Sequence, residues 1–381
     1  MARARRWHPS QEDDQWVFAV CDRFLTQLGR QYGTPTGDGH EKRRGAAAAV
    51  AKWLKEEGRE DLTRERIYPL FWEAARRNFL LLKPPREEYL AQQIVRRYQL
   101  GEYEEFKDRL QVINVRGEES PKHVCHVGAD LVLTLVDRLA RKGKKRVHIG
   151  LGAGYSTMWV AQRLAQRVYS DLKCPDLVLH ALTSGGFLVD QPYKAPITYF
   201  SYFNGALPKV DYVSLFSETV VSDDEYERVR RNPGVQKSFA LAQEIDIVFT
   251  SFASATDEDG MLGQFLDIMI REGALPAEAL DKLKQAGWIG DVQFRPYSEE
   301  GAITRECPVR VVTLFELADL VRLANTPDKY VVLVAGPCGQ CGRLKDDALR
   351  PLLKNTSLRM WTHLVTDVDT ASALLRSEAD E

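Results

Sequence analysis

Apolar positions along this chain fall into two regimes. In residues 1–85 they recur every three or four positions, which predicts helices. Asp13 to Tyr32 brings Trp16, Val17, Val20, Phe24, Leu25 and Leu28 near one helical face. Gly33-Thr34-Pro35-Thr36-Gly37-Asp38-Gly39 breaks that pattern and reads as a flexible connector. Arg44 to Glu57 is an alanine-rich helix ended by Gly58, and Thr63 caps a further helix running to Asn78. Pro69 lies inside this last helix and is expected to kink it or split it after Tyr68. Phe79-Leu80-Leu81-Leu82 reads as a short, wing-like strand before Lys83-Pro84-Pro85. Domains 1–85 and 86–381 are predicted.

Beyond Pro85 the pattern changes. Arg86 to Tyr98 and Val124 to Arg141 read as helices on either side of a strand, Leu110 to Val115. Short apolar runs then alternate with helical segments. The runs are Val147–Ile149, Leu177–Leu182, Tyr212–Phe216, Ile245–Phe252, Val309–Val312, Tyr330–Ala335 and His363–Thr366. Helices are expected between them, over Met158–Arg167, Asp223–Arg230, Pro233–Gln243, Gln264–Arg271, Ala277–Gln285, Leu314–Ala324 and Leu344–Leu353. This alternation predicts an α/β fold, a mostly parallel sheet wrapped by helices. The helices before it make a small α-helical N-terminal domain, in which two helices, a short turn and a wing-like strand would fit a winged helix-turn-helix.

Composition narrows the classes. With 44% hydrophobic and 28% charged residues over 381 positions, the chain can bury a substantial core. No apolar run reaches the roughly 18 to 20 residues of a membrane span, and polar residues follow the basic start, so a cytoplasmic protein is expected. The net charge of −2 conceals an imbalance: residues 1–100 carry +5 and the remainder −7. A basic head is compatible with nucleic-acid contact. Six scattered cysteines, at 21, 125, 174, 307, 338 and 341, do not form a secreted disulfide framework.

Four loops follow predicted strands and should gather at one sheet edge, where ligands bind in such folds. The first runs Gly150-Leu151-Gly152-Ala153-Gly154-Tyr155-Ser156-Thr157 into a helix, offering glycine room, two hydroxyls and helix N-terminal amides to an anion. The second is Thr183-Ser184-Gly185-Gly186. The third, Ser251 to Gly260, carries Asp257-Glu258-Asp259, a run that by itself reads as solvated. The fourth is Gly336 to Lys345. Together they offer anion donors, a cation and hydroxyl-binding carboxylates, as a sugar phosphate requires. Motifs for a serine hydrolase, a phosphate-loop nucleotidase and a histidine metal centre are missing. Cys338-Gly339-Gln340-Cys341 reads as a redox pair, half a zinc site or a glycine-rich structural loop. No second Cys-x-x-Cys or tight Cys/His pair completes four ligands, so no metal and no cofactor are expected.

In this order the motifs resemble the SorC-type (sorbitol-operon-regulator-like) sugar-binding transcriptional regulators over roughly Arg86 to Leu375. The specific pieces are the loop at 150–157, Leu182-Thr183-Ser184-Gly185-Gly186, Ala286-Gly287-Trp288-Ile289-Gly290-Asp291, Val334-Ala335-Gly336 and Val365-Thr366-Asp367. The resemblance implies an effector sensor on an isomerase-like sheet, acting without catalysis as a homo-oligomer (dimer or tetramer), with an N-terminal head on operator DNA. By position, the loop from Gly152 through Ala153, Gly154, Tyr155 and Ser156 to Thr157 would hold the effector's phosphate. Thr183, Ser184 and Gly185 would line the sugar, Asp291 would face its hydroxyls, and Lys345 matches the effector-loop lysine. This chain's loop before Lys345 is longer than the family's. In the head, the helix starting at Thr63 would enter the major groove, with Arg64, Arg66, Arg76 and Arg77 exposed to phosphates and guanine edges. Two other classes stay open: a sugar-phosphate isomerase or deaminase using Asp291 or Asp257 as base, and a sensor whose head binds protein.

Overall fold

The computed structural model describes residues 7–32, 45–77, 80, 83–168, 174–185, 190–206 and 209–376. The chain divides into two compact units, Met1–Lys83 and Pro84–Glu381. Within the first, helices α1 (Asp14–Tyr32), α2 (Ala46–Glu56) and α3 (Arg64–Arg76) pack pairwise. Val17, Val20, Phe24, Val50, Leu54, Leu62, Ile67, Leu70 and Ala74 form their shared core.

Helix α3 runs through Pro69 as one element, so the split, one of the two outcomes expected there, does not occur. A proline inside a helix costs about 3 kcal/mol. Ile67, Leu70 and Ala74, on either side of it, are fully buried, and burying two such aliphatic side chains returns more than that cost. The connector at 33–39 and most of the strand expected at Phe79–Leu82 lie outside the described residues.

Among the described residues, eleven strands build the second unit: β1 (Leu110–Ile113), β2 (Arg146–Leu151), β3 (Asp176–Ala181), β4 (Val210–Val213), β5 (Val220–Val221), β6 (Ile247–Ser254), β7 (Gly290–Val292), β8 (Arg295–Tyr297), β9 (Arg310–Val311), β10 (Tyr330–Ala335) and β11 (His363–Asp367). Seven of them form a parallel series in the order β1-β11-β10-β6-β2-β3-β4. Side chains alternate across the sheet, so β10 sends Val331, Leu333 and Ala335 into one core and Tyr330, Val332 and Val334 into the other. Near-continuous apolar strands of this kind need helices on both faces. Helices Ser120–Arg141 and Tyr155–Val168 cover one face, and Glu88–Arg97, Asp346–Lys354 and Val368–Leu375 cover the other.

Two strand assignments differ from the sequence reading. Val309–Val312 supplies β9, which pairs antiparallel with β5 outside the main sheet. Gly290-Asp291, which the apolar pattern did not mark as a strand, belongs to β7, antiparallel to both β6 and β8. The β7–β8 hairpin turns at Gln293 (φ 51°) and Phe294 (φ 63°). Two consecutive left-handed residues make the tight hairpin turn normally given to Asn-Gly. Holding two non-glycine residues there costs roughly 1–2 kcal/mol each, which the surrounding packing must hold in place.

Chain order reverses between β2 and β6: β3 and β4 extend to one side, β10 and β11 to the other. At such a switch point the loops leaving adjacent strands diverge and open a crevice at the carboxyl edge.

Candidate functional site

A cleft of about 80 Å³ opens at that switch point. Its walls come from the loop after β2 (Ala153, Gly154, Tyr155, Ser156), the loop after β6 (Asp257, Asp259, Gly260), the β7–β8 hairpin (Asp291, Gln293, Phe294) and the loop after β10 (Cys338, Gly339, Gln340, Lys345). Lys194 contributes from the segment that follows β3. Six of the expected effector residues therefore meet here: Ala153, Gly154, Tyr155, Ser156, Asp291 and Lys345. Gly152, Thr157, Thr183, Ser184 and Gly185 do not line this cavity.

The glycine loop is shaped by its neighbours. Gly152 donates its amide to Phe249 O at 3.0 Å, and a Cβ there would sit 3.1 Å from Thr250 Oγ1. Gly154, at φ 117°, donates to Lys194 O at 2.9 Å. Both amides serve the scaffold, so anion-binding capacity rests on the first amides of the helix Tyr155–Val168, which have no intrahelical acceptor. Thr157 is fully buried, and its Oγ1 has no hydrogen-bond partner.

Thr183, Ser184 and Gly185 are stitched elsewhere. Thr183 bridges to Thr313, Ser184 N donates to Val312 O at 3.1 Å, and a Cβ on Gly185 would meet Thr219 Oγ1 at 3.0 Å. These contacts tie the loop after β3 to the small β5–β9 sheet, which explains its separation from the other three loops.

Asp291 faces the cleft from β7. Its carboxylate Oδ2 is buried without a partner, while the Phe294 amide supports the group. Burial pushes its pKa up to about 7, against the pull of that amide and of Lys345. The hairpin is seated by Gly290, where a Cβ would lie 2.6 Å from Ala253 O and from Tyr297 Oη. Tyr297 Oη in turn donates to Ala348 O at 2.7 Å, fixing the helix Asp346–Lys354 just after Lys345.

Lys345 Nζ lies 2.9 Å from Asp257 Oδ2, and both side chains are largely withdrawn from solvent. Burial opposes ionisation of Asp257, yet Lys345 and neighbouring donors outweigh it and hold the carboxyl below its ordinary value. The acidic run is thus not uniformly solvated as expected: Asp257 is buried, Asp259 half-buried and Glu258 exposed. Turn formation explains the difference, since Asp257 Oδ1 accepts the Asp259 amide at 3.1 Å and the chain folds inward.

Sequence reasoning missed Lys194. Only 2% of it is exposed, its Nζ reaches Gln340 Oε1 at 3.1 Å, and burial pulls its pKa below the usual lysine value. The loop it touches is also a partition. Cys338, Gly339 and Gln340 line the cleft on one side and, on the other, a wider groove of about 1120 Å³ that includes Arg116, Lys122 and Trp159.

In the head, Thr63 is the N-cap of α3 and Arg64 is exposed. Arg66 donates to Asp61 O at 2.8 Å and lies over the Trp7 ring. Contrary to the expected exposure, Arg77 is mostly covered, bound to Glu73 and Asp14 at 2.7 Å each and to Glu12 O. The side chain of Arg76 lies outside the described residues. Tyr68 and Trp72, half or more exposed, occupy the same helical face as Arg64.

Among the described residues no helix is long and apolar enough to cross a membrane. Several solved structures share the fold. The full-length sorbitol operon regulator SorC from Klebsiella pneumoniae is 17% identical, with a TM-score of 0.59 over 96% of this chain and 100% of that one. A probable sor operon regulator from Shigella flexneri matches at 16% identity and TM-score 0.54, covering 76% of this chain and 98% of its own. A DeoR family transcriptional regulator from Listeria monocytogenes matches at 17% and 0.50, over 74% and 97%. No curated protein sequence matches the chain. Residues 90–376 match the family model described as "Putative sugar-binding domain", and the chain belongs to that family.

Proposed function

We propose that this protein is a sugar- or sugar-phosphate-responsive transcriptional regulator, with the effector bound at the β2/β6 switch point and DNA bound by the helical head. The observation that carries the reading is the convergence, within a sugar-binding family domain, of a helix N-terminus, Lys345 and the unpartnered Oδ2 of Asp291 on one cleft. An anionic group suits Lys345 and the helix N-terminus, and hydroxyls suit Asp291.

The cleft in this conformation holds about 80 Å³, whereas ligand pockets span roughly 300–1,000 Å³. The loop after β10 separates the cleft from the neighbouring groove, and a shift of that loop would merge the two and admit a larger effector. A phosphate competing with Asp257 for Lys345 is a direct trigger for that shift. Binding that favours the shifted state then changes its population, which is the coupling a sensor needs. A homo-oligomer would convert the loop shift into a change of head spacing on DNA.

A thermal-shift screen with free and phosphorylated sugars tests the effector. A ligand at about 100 times its Kd adds roughly 2.7 kcal/mol, and Lys345→Ala should abolish that gain. Retention of the full gain in the variant refutes the pocket. Gel retardation on genomic fragments tests the head.

One observation favours a second reading. A buried carboxyl with a pKa of about 7 beside a lysine is suited to proton abstraction from a sugar phosphate. Turnover on the order of 1 per second would establish that reading, and we expect none.

A further inference from the structure

The sequence lacks a second pair of thiols or imidazoles near Cys338 and Cys341, but the fold supplies another donor pair. Asp257 and Asp259 from the loop after β6 stand against the loop after β10. One ligand atom from each of Asp257, Asp259, Cys338 and Cys341 lies within 4.8 Å of every other. Cys338 Sγ is 3.6 Å from Asp259 Oδ2, and Cys341 Sγ is 3.8 Å from Asp257 Oδ1.

The two thiol–carboxylate separations match the edges of a coordination shell, and the wider spacings in the group, up to 4.8 Å, would have to close by about 1 Å around an ion. Zinc–sulfur and zinc–oxygen bonds of about 2.3 and 2.0–2.2 Å place the corners of a tetrahedron roughly 3.3–3.8 Å apart. We propose that Cys338, Cys341, Asp257 and Asp259 bind one thiophilic divalent cation of the zinc class.

Three further features fit. The Cys-x-x-Cys turn is preformed: Gly342 donates to Cys338 O at 3.0 Å and Cys338 to Arg343 O at 2.8 Å, with Gly342 at φ 73°. That left-handed glycine lets the chain reverse immediately after Cys341. The Asp257 carboxylate divides its oxygens, Oδ2 held by Lys345 and Oδ1 turned to the thiols, which is how an outer partner orients a metal ligand. Charge also closes. Two thiolates and two carboxylates carry four negative charges, which a divalent ion and the lining lysines 194 and 345 neutralise.

Such an ion would clip the partition loop to β6 and fix Lys345 at the cleft. The site stands on its own geometry and not on the regulatory reading. Its test needs neither sugar nor DNA. The reduced, metal-free full-length chain is titrated with Co²⁺ alone. One equivalent should give thiolate-to-cobalt charge transfer and tetrahedral ligand-field bands, both erased by Zn²⁺. Cys341→Ser, at an exposed position, and Asp259→Asn should each weaken uptake by more than the roughly 10- to 100-fold cost of losing an outer partner. Cys21→Ser should leave it unchanged. As a measurement free of substitution, one equivalent of Zn²⁺ should protect Cys338 and Cys341, but not Cys174, from alkylation mapped by peptide mass. Absence of the charge-transfer band, uptake undiminished in both variants, or alkylation indifferent to Zn²⁺ overturns the proposal.

Discussion

Asp291→Asn should make the large unit less sensitive to alkaline pH, and the size of the effect follows from its burial. The folded carboxyl titrates at about 7, against an ordinary value of 3.8. Because the folded pKa is the higher one, the folded state retains a proton that the unfolded chain releases. Its contribution is fully present below pH 4 or so, and is lost as pH rises through about 7. At 1.36 kcal/mol per unit, the complete loss amounts to about 4 kcal/mol, of which about 2–3 kcal/mol falls between roughly pH 5 and 8. Asparagine is nearly isosteric, carries no charge and keeps an oxygen for the Phe294 amide. The variant's stability relative to the parent should therefore climb by about 2–3 kcal/mol over that interval. Denaturant titrations followed by amide exchange in β6 and β10 isolate the large unit, since central-strand amides open only with it. A difference between the two proteins that stays flat from about pH 5 to 8 would refute a neutral, buried Asp291.

Other expectations test the parts that hold the site. Gly290→Ala forces a methyl to within 2.6 Å of Ala253 O and Tyr297 Oη, and should cost about 1–3 kcal/mol in thermal unfolding. Arg295→Met removes a buried guanidinium that holds Glu316 at 2.6 and 3.0 Å and Val311 O at 2.9 Å. Glu316 is 40% exposed, so the loss should stay near 2 kcal/mol, below the 3–5 of a fully buried pair. In the head, Arg77→Ala removes one partner of the buried Glu73 together with the contacts to Asp14 and Glu12 O, and should lower head stability by about 1–3 kcal/mol in a melt. Arg64→Ala should leave the melt unchanged but reduce the salt slope of DNA retention by about 1. An unchanged slope would remove Arg64 from the DNA surface.

The sheet was readable from the sequence because parallel strands buried on both faces are apolar throughout. Tyr330–Ala335 was placed to the residue, and β2, β3, β6 and β11 to within two residues at each end. The short antiparallel strands β5, β7 and β8 carried no such signal, although the run Val309–Val312 did reveal β9. Arg295-Pro296-Tyr297 contains a charge and a proline, and only its pairing with β7 makes it a strand. Helix α3 marks the opposite case, where the split expected as one outcome at Pro69 lost to the burial of Ile67, Leu70 and Ala74 around it.

At the site, the loop from Ala153 to Ser156 was legible within one strand-to-helix connection, whereas Asp291 and Lys345 were named only through the family resemblance. What was illegible depends on distant segments meeting. Lys194 looks like any lysine before a short helix until the Gly154 amide binds its carbonyl and draws it under the cleft. Asp257 looks solvated until the switch point between β2 and β6 turns its loop towards Lys345 and the two cysteines. The same geometry explains why the cysteine loop resisted assignment. Its missing partners were carboxylates some eighty positions earlier, and oxygen donors have no spacing motif by which a sequence could reveal them. Only the parallel register of β6 against β10, Val331 beside Val248 and Val334 beside Ser251, delivers the two loops to the same edge. The chemistry of this edge is therefore a property of the topology, and substitutions that shift the β6–β10 register should disable the cleft and the thiol–carboxylate cluster together.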